Sequence, residues 1–181
     1  MRTFTYARPA TLAEAVATLE AHGPDARALA GGTDLIIRLR DGSVAPSVVV
    51  DLKRIAELRP GIREGDGWLS IGATTVMTDI AADPRVAREF RALAEAAAVV
   101  GSVQIRNRAT LAGNICNASP AADTAPPLLV YGAAVVAEDL EECVVREDAE
   151  GTPAPVDRDL DGKRVAHVVH PSASRWIATR R

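Results

Sequence analysis

The sequence is poor in cysteine and in aromatic residues, and each shortage excludes classes of protein. Its 181 residues include two cysteines, Cys116 and Cys143, which are too few for a disulfide framework or a four-cysteine iron–sulfur cluster. Neither stands in a Cys-x-x-Cys pair or near histidines at zinc spacing. Aromatic residues make up 3% of the chain and hydrophobic residues 48%, so a globular core must be built from Ala, Val, Leu and Ile.

The chain also lacks a surplus of positive charge and any long apolar run. Its formal net charge is −3, so it presents no broad basic face of the kind that binds nucleic acid. No stretch approaches the roughly 18 uninterrupted apolar residues of a membrane span, and the opening MRTFTYARPA contains no apolar leader region. We therefore expect a cytoplasmic protein with no membrane span, no nucleic-acid partner and no metal site.

What the sequence does contain is an alternation of short strand and helix patterns. TLAEAVATLEAHG, at residues 11–23, carries its apolar residues on one helical face, with Thr11 and Glu14 at capping-box spacing. ARALA (26–30) and SVVVDL (47–52) have the short apolar runs of buried strands. This alternation predicts a mixed fold of the α/β or α+β class.

The regular pattern is lost after residue 101. Helical spacing covers residues 75–82 and predicts one longer helix over about 87–100. SVQIRNRATLAGNICNASPAAD, at residues 102–123, shows little periodicity, and a compact domain rarely keeps so long a loop without a functional reason. We therefore expect an irregular functional loop over residues 102–123.

LAGGTDLIIRL, at residues 29–39, places a glycine pair between a predicted strand and a predicted short helix. Backbone N–H groups converge at such a turn and the helix dipole adds partial positive charge, a combination that binds anions such as a pyrophosphate. The Thr33 hydroxyl adds a donor, and we expect Asp34 to turn its carboxylate away and cap the helix. The alternative is an ordinary turn whose glycines serve backbone conformation alone. The motif matches neither G-x-G-x-x-G nor a Walker loop.

TLAGN, at residues 110–114, offers a second turn of small residues. Asp123 follows ten residues after Gly113, a separation that suits a carboxylate accepting hydrogen bonds from a ribose, and Ser119 adds a donor between them. Two such turns are suited to hold one dinucleotide. The alternative for this segment alone is a polar surface loop that binds no ligand.

AGGTDL, followed by QIRNRATLAGN and ASPAAD, resembles the FAD-binding subunit or domain of the molybdenum hydroxylases, the xanthine dehydrogenase and carbon monoxide dehydrogenase family. The opening FTYARPATLAEAVATL and the segment SIGATT are also typical of that family. The resemblance covers residues 1–137.

The resemblance implies an α+β, two-lobed FAD-binding fold of the vanillyl-alcohol oxidase or PCMH type. A small lobe would span about residues 1–55 and a larger lobe about 56–137, with 138–181 as a divergent tail in place of the usual C-terminal domain. The residues it assigns to FAD are Ala30, Gly31, Gly32, Thr33, Asp34 and Leu35 in the first motif, and Thr110, Leu111, Ala112, Gly113, Asn114, Ser119 and Asp123 in the second.

The function implied by the resemblance is electron transfer through FAD, with no side chain needed as a catalytic base. A molybdopterin-binding large subunit and a 2Fe–2S small subunit would be the partners in a hetero-oligomer, and NAD, a quinone or oxygen the acceptor. Two alternatives remain: a small standalone FAD oxidoreductase, and an FAD-free interaction or scaffold module.

One residue of the second motif departs from the family pattern. The family usually has two glycines before the asparagine, and here the first of them is Ala112. Its methyl group is compatible with the motif where φ is negative and would otherwise crowd the flavin.

Overall fold

The computed structural model describes residues 2–65, 68–135, 143–144 and 164–166 of the chain. Within these ranges the backbone forms one three-stranded sheet, one five-stranded sheet and eight α-helices. The mixture of helices and strands is as predicted. In the described part of the chain, no helix has both the length and the apolar character needed to cross a membrane.

The first sheet is parallel throughout. Its elements are β1 (Thr5–Ala7), α1 (Leu12–His22), β2 (Ala26–Leu29), α2 (Leu35–Asp41) and β3 (Val48–Asp51). The strand order is β1-β3-β2, and all four residues of β3 are buried, as is typical of a central strand covered on both faces. Because the strands are parallel, their carboxyl ends meet at one edge of the sheet.

Helix α1 begins and ends where the sequence predicts. The Thr11 hydroxyl accepts the N–H of Glu14 at 3.2 Å, and the Glu14 carboxylate accepts the N–H of Ala10 at 2.9 Å, one residue before the position used in the usual capping box. The helix ends at Gly23, whose φ of +48° favours glycine. These contacts direct the buried side chains of Leu12 and Ala15 toward the sheet.

The second sheet has five strands in the order β4-β5-β8-β6-β7. Its strands are β4 (Ile62–Gly65), β5 (Trp68–Ile71), β6 (Ala134–Val135), β7 (Cys143–Val144) and β8 (Arg164–Ala166). Strand β7 pairs antiparallel with β6, and β8 is parallel to both β5 and β6, so two short pieces of the predicted tail join the sheet. The tail residues outside β7 and β8 lie outside the described ranges.

Six helices connect and cover the second sheet: α3 (Met77–Ala82), α4 (Pro84–Glu89), α5 (Arg91–Val99), α6 (Val103–Arg106), α7 (Leu111–Asn117) and α8 (Ala125–Val130). The prediction of one helix over about 87–100 was wrong. The chain bends at Phe90, with φ −129° and ψ 50°, and the buried ring packs edge-on against Tyr131 with centroids 5.2 Å apart. This tertiary contact determines where the helix breaks.

The prediction of an irregular loop over residues 102–123 was also wrong, because the segment contains α6 and α7. Each helix starts at a hydroxyl cap: Ser102 accepts the N–H of Ile105 at 3.3 Å, and Thr110 accepts the N–H of Gly113 at 3.1 Å. Helices of four and seven residues are too short for an apolar period to be recognised.

A single apolar cluster joins the two sheets. It includes side chains with no exposed surface from β3, β5, α5 and α7, namely Val50, Ile71, Leu93 and Leu111. Helix α7, which carries the second motif, is therefore fixed to the same core as the sheet that carries the first. A lobe boundary near residue 55 stays a prediction.

Candidate functional site

A cavity of about 790 Å³ lies between the two motifs singled out in the sequence, a volume within the range of ligand pockets. We call residues 30–35 the glycine turn and residues 110–119 the capped segment. The cavity is lined by the predicted site residues Ala30, Gly31, Gly32, Thr33, Asp34 and Leu35 from the glycine turn, and by Thr110, Gly113, Asn114 and Ser119 from the capped segment. The fold thus brings together two motifs that are far apart in the sequence.

The two glycines of the turn are required for different reasons. A Cβ atom on Gly31 would lie 2.0 Å from the carbonyl oxygen of Arg108 and 3.1 Å from the Cα of Ala109, so only glycine permits this approach. Gly32 has a φ of +80°, which other residues rarely adopt. The glycine turn is therefore in backbone contact with the chain just before the capped segment.

The glycine turn presents backbone donors to the cavity. Among the described residues, the N–H groups of Gly31, Gly32 and Thr33 have no hydrogen-bond acceptor, whereas the carbonyl of Gly32 accepts the N–H of Ile36 at 3.0 Å. Unpaired N–H groups are costly away from water and are usually satisfied by a ligand or solvent. Neighbouring N–H groups in a concave turn are suited to hold an anion.

The prediction that Asp34 caps α2 was wrong. Its side chain makes no capping hydrogen bond, and its backbone is helical, with φ −92° and ψ −46°. A capping carboxylate needs an extended backbone to turn back toward the first helical N–H groups. The exposed carboxylate instead accepts a 3.4 Å contact from the Thr33 hydroxyl and remains at the cavity.

The capped segment is held to the rest of the domain by paired backbone groups. Thr110 forms an isolated antiparallel bridge with Val76. The N–H of Leu111 donates to the carbonyl of Thr75 at 3.2 Å, and the N–H of Met77 donates to the carbonyl of Ala109 at 2.9 Å. These bonds fix the position of α7 relative to α3.

Most polar groups of the capped segment already have partners. The Asn114 side-chain oxygen accepts the hydroxyl of the fully buried Thr124 at 2.6 Å. The Ser119 hydroxyl oxygen accepts the N–H of Ala121 at 3.2 Å and stabilises a turn. The amide nitrogen of Asn114 has no acceptor among the residues that the structure describes, which leaves it as a donor at the cavity.

Three predicted site residues do not line the cavity. Leu111 and Ala112 are buried in the core, and Asp123 is exposed on the surface. Ala112 also has a negative φ: among the non-glycine residues that the structure describes, only Ala118 has a positive one. The Ala112 methyl group therefore packs in the core and not into the cavity.

Sequence reasoning missed several residues that line the cavity, among them Arg27, Arg38 and Ile105. Arg38 lies four residues after Asp34, so helical spacing places the two side chains on one face of α2. This spacing could have indicated that Arg38 lines the cavity. Arg27 also donates to the carbonyl of Pro24 at 2.6 Å, a local contact that no sequence pattern indicates. These arginines add positive charge to a cavity that also contains acidic side chains.

Cys116 also lines the cavity. Burial raises the pKa of its thiol to about 12, so the reactive thiolate is scarce at neutral pH. Its burial and raised pKa favour a packing role for Cys116 over a nucleophilic one.

Comparison with known families identifies the family of this chain. Residues 2–147 match the model of the family described as the FAD binding domain in molybdopterin dehydrogenase. The chain belongs to this family. The family predicted from the motifs is therefore confirmed, and FAD is the cofactor that the family's description names.

Two characterised relatives show how much of a longer protein this FAD-binding domain represents. It is 43% identical over 129 residues to a xanthine dehydrogenase FAD-binding subunit of Escherichia coli O157:H7, covering 71% of this chain and 44% of the relative. It is 41% identical over 120 residues to the carbon monoxide dehydrogenase medium chain of Hydrogenophaga pseudoflava, covering 66% and 42%. The chain spans less than half the length of these relatives.

Solved structures show the same fold. Carbon monoxide dehydrogenase from Hydrogenophaga pseudoflava, in a form that lacks the Mo-pyranopterin moiety, matches with a TM-score of 0.69 and 37% identity over 72% of this chain and 45% of that one. Reconstituted carbon monoxide dehydrogenase from Oligotropha carboxidovorans matches with a TM-score of 0.70 and 35% identity over 74% and 46%. The predicted α+β FAD-binding fold is confirmed.

Proposed function

We propose that this domain holds FAD in the cavity and serves as the flavin-carrying, electron-transfer part of a molybdenum hydroxylase complex. The observation that carries the proposal is the row of unpaired N–H groups at Gly31, Gly32 and Thr33, residues that line the same cavity as Gly113 and Asn114. Backbone donors of this kind are suited to the oxygens of a pyrophosphate.

The remaining lining of the cavity supports a ligand with both charged and flat apolar parts. Arg27 and Arg38 add positive charge near the glycine turn. Val100 and Ile105 offer apolar surface on the side of the capped segment, where ring systems can be buried. The carboxylates of Glu20 and Asp34 also line the cavity and would oppose phosphate binding unless they point away from the phosphates.

In this proposal the protein supplies position and exclusion of water, and the bound FAD accepts electrons and passes them on. The glycine turn would hold the phosphates through its backbone. The capped segment would form the opposite wall, because most of its polar groups are already paired, with the Asn114 amide nitrogen as a remaining donor. A 2Fe–2S subunit would supply the electrons after a molybdopterin-binding subunit has oxidised the substrate. No side chain of this domain is required as an acid or base.

Visible absorbance of the purified chain, before and after FAD is added, tests the cofactor. We expect flavin bands that stay with the protein through gel filtration. Gly32→Ala should weaken FAD binding about tenfold or more, because it strains the +80° φ and moves donors of the turn. A chain that stays colourless in excess FAD would instead favour the FAD-free scaffold alternative.

Gly42→Ala is the matched control for that variant. Gly42 has a φ of +82°, follows the last residue of α2 and faces open space, so Gly42→Ala carries a similar backbone strain of about 1–2 kcal/mol outside the cavity, without the 2.8 Å contact that a Cβ on Gly32 would make with the Leu29 side chain. Equal loss of FAD binding in both variants would show that general destabilisation, and not the glycine turn, is responsible.

Co-purification tests the partners. A tagged chain expressed with its genomic neighbours should bring down a molybdopterin-binding chain and a 2Fe–2S chain. If the chain binds FAD and reduces an acceptor without any partner, the standalone oxidoreductase is the better description.

A further inference from the structure

A polar cluster lies beside the glycine turn, at the edge where the three parallel strands end. Tyr6 comes from β1, Asp51 is the last residue of β3, and Lys53 follows two residues later. The adjacent strand β2 leads directly into the glycine turn. The topology therefore places these side chains next to the donors proposed to hold the pyrophosphate.

Asp51 is the centre of this cluster. It is 3% exposed; one carboxylate oxygen accepts the Tyr6 hydroxyl at 2.5 Å, and the other accepts both the backbone N–H and the ammonium group of Lys53, at 3.1 and 2.5 Å. Burial alone would raise the pKa of the Asp51 carboxyl, yet the hydrogen bonds from Lys53 and Tyr6 outweigh it and hold that pKa below its usual value. Asp51 is therefore an anion that fixes the Lys53 side chain.

The Lys53 ammonium group makes a second contact, to the carbonyl oxygen of Ala30 at 3.4 Å. That carbonyl belongs to the same peptide plane as the N–H of Gly31. The described residues contain no cis peptide bond, and in a trans peptide the C=O and N–H point in opposite directions. Holding the Ala30 oxygen toward Lys53 consequently directs the Gly31 N–H the other way.

We infer that Lys53, tethered by Asp51, is a positioning residue that orients the Ala30–Gly31 peptide so that the Gly31 N–H points at the anion in the cavity. The inference rests on the proposed function for the identity of that anion, the FAD pyrophosphate. Lys53 acts through the Ala30 carbonyl and needs no contact with the cofactor. Neither the motifs nor the comparisons assign it a role.

Titration with FAD tests the inference in three variants. Lys53→Met keeps most of the length of the side chain and removes the ammonium group, so the Ala30 oxygen is released; we expect FAD affinity to fall about tenfold. Lys53→Arg can still donate to Ala30 and should stay within about threefold of the wild type. Arg54→Met removes the same charge from the neighbouring exposed position and should change the affinity by less than about twofold.

A second readout does not depend on the cofactor. In protein labelled with ¹⁵N-glycine, Lys53→Met should move the Gly31 amide resonance, whereas Arg54→Met should leave it in place. If Lys53→Met lowers the melting temperature strongly because Asp51 has lost its ion partner, the double variant Asp51→Asn with Lys53→Met removes the unpaired charge and should still show both effects.

The outcomes separate the two proposals. Equal FAD affinity in Lys53→Met and Arg54→Met, with an unmoved Gly31 resonance, would overturn the positioning role while leaving FAD binding intact. A wild-type chain that takes up no FAD would overturn the proposed function, and the Gly31 resonance alone would then decide whether Lys53 orients this peptide.

Discussion

The glycine turn and the capped segment face each other across one cavity but use their polar groups in opposite ways. In the glycine turn the N–H groups of Gly31, Gly32 and Thr33 are unpaired within the described residues. In the capped segment Thr110 is occupied as a helix cap and Asn114 as the acceptor of a buried hydroxyl. One wall of the cavity therefore offers a row of backbone donors, whereas the other is shaped mainly by internal hydrogen bonds and adds the Asn114 amide as a single side-chain donor.

The difference predicts which substitutions affect binding and which affect stability. A change in the glycine turn should weaken ligand binding more than folding, unless it disturbs the contact with Arg108. A change in the capped segment should act first on stability.

Gly31→Ala should have the largest effect, because the added Cβ would lie 2.0 Å from the backbone oxygen of Arg108 and backbone cannot move aside as a side chain can. We expect loss of FAD binding and a destabilisation of about 1–3 kcal/mol. Gly113→Ala is the control in the capped segment. Its Cβ would meet the Thr110 hydroxyl at 2.8 Å, and the gain in helix propensity, up to about 1 kcal/mol, offsets part of that clash. FAD titration would contradict the contrast if Gly113→Ala lost FAD binding as completely as Gly31→Ala.

Thr110→Ala should have an intermediate effect. The substitution removes the acceptor for the N–H of Gly113 at the start of α7, which costs about 1 kcal/mol and lowers the melting temperature by about 2–4 °C. Thr110→Ser keeps the cap and is the control. If Thr110→Ala abolished FAD binding with an unchanged melting temperature, its hydroxyl would be a ligand contact and the contrast would fail.

Cys116 should react with an alkylating reagent only slowly, and its modification is the weakest test of the contrast. Since burial raises the pKa of this thiol to about 12, alkylation at pH 8 should be at least about a hundredfold slower than that of free cysteine, measured in a Cys143→Ser background. Raising the pH should speed the reaction as the thiolate forms, and bound FAD should slow it because Cys116 lines the cavity. Rapid alkylation at pH 8 that FAD does not affect would place the thiol outside the cavity.

The elements predicted well from the sequence are those whose ends are fixed by local chemistry. Thr11 and Gly23 determine α1, and the glycine pair correctly indicated a turn between a strand and a helix. The break at Phe90 was missed because a ring contact with Tyr131, distant in the sequence, causes it. The helices α6 and α7 were missed because their caps lie in stretches too short to show an apolar period.

The site was predictable only in part for the same reason. The composition of the glycine turn indicated an anion site, and the spacing of the motifs indicated a partner segment. That Gly31 is required by the carbonyl of Arg108 depends on tertiary packing, and so does the place of Lys53 beside Ala30. The wrong expectation for Asp34 arose because residue type suggests a cap, whereas the backbone conformation decides whether one forms.

The contact between Gly31 and the Arg108 carbonyl restricts the residue type at one of its two positions but not at the other. On one side it demands the absence of a side chain, so it restricts position 31 to a single residue type. On the other side it uses a backbone carbonyl oxygen, which every residue possesses, so the contact does not require arginine at position 108. The sequence therefore shows the requirement for glycine at position 31, whereas the residue that it contacts can be identified only from the course of the backbone.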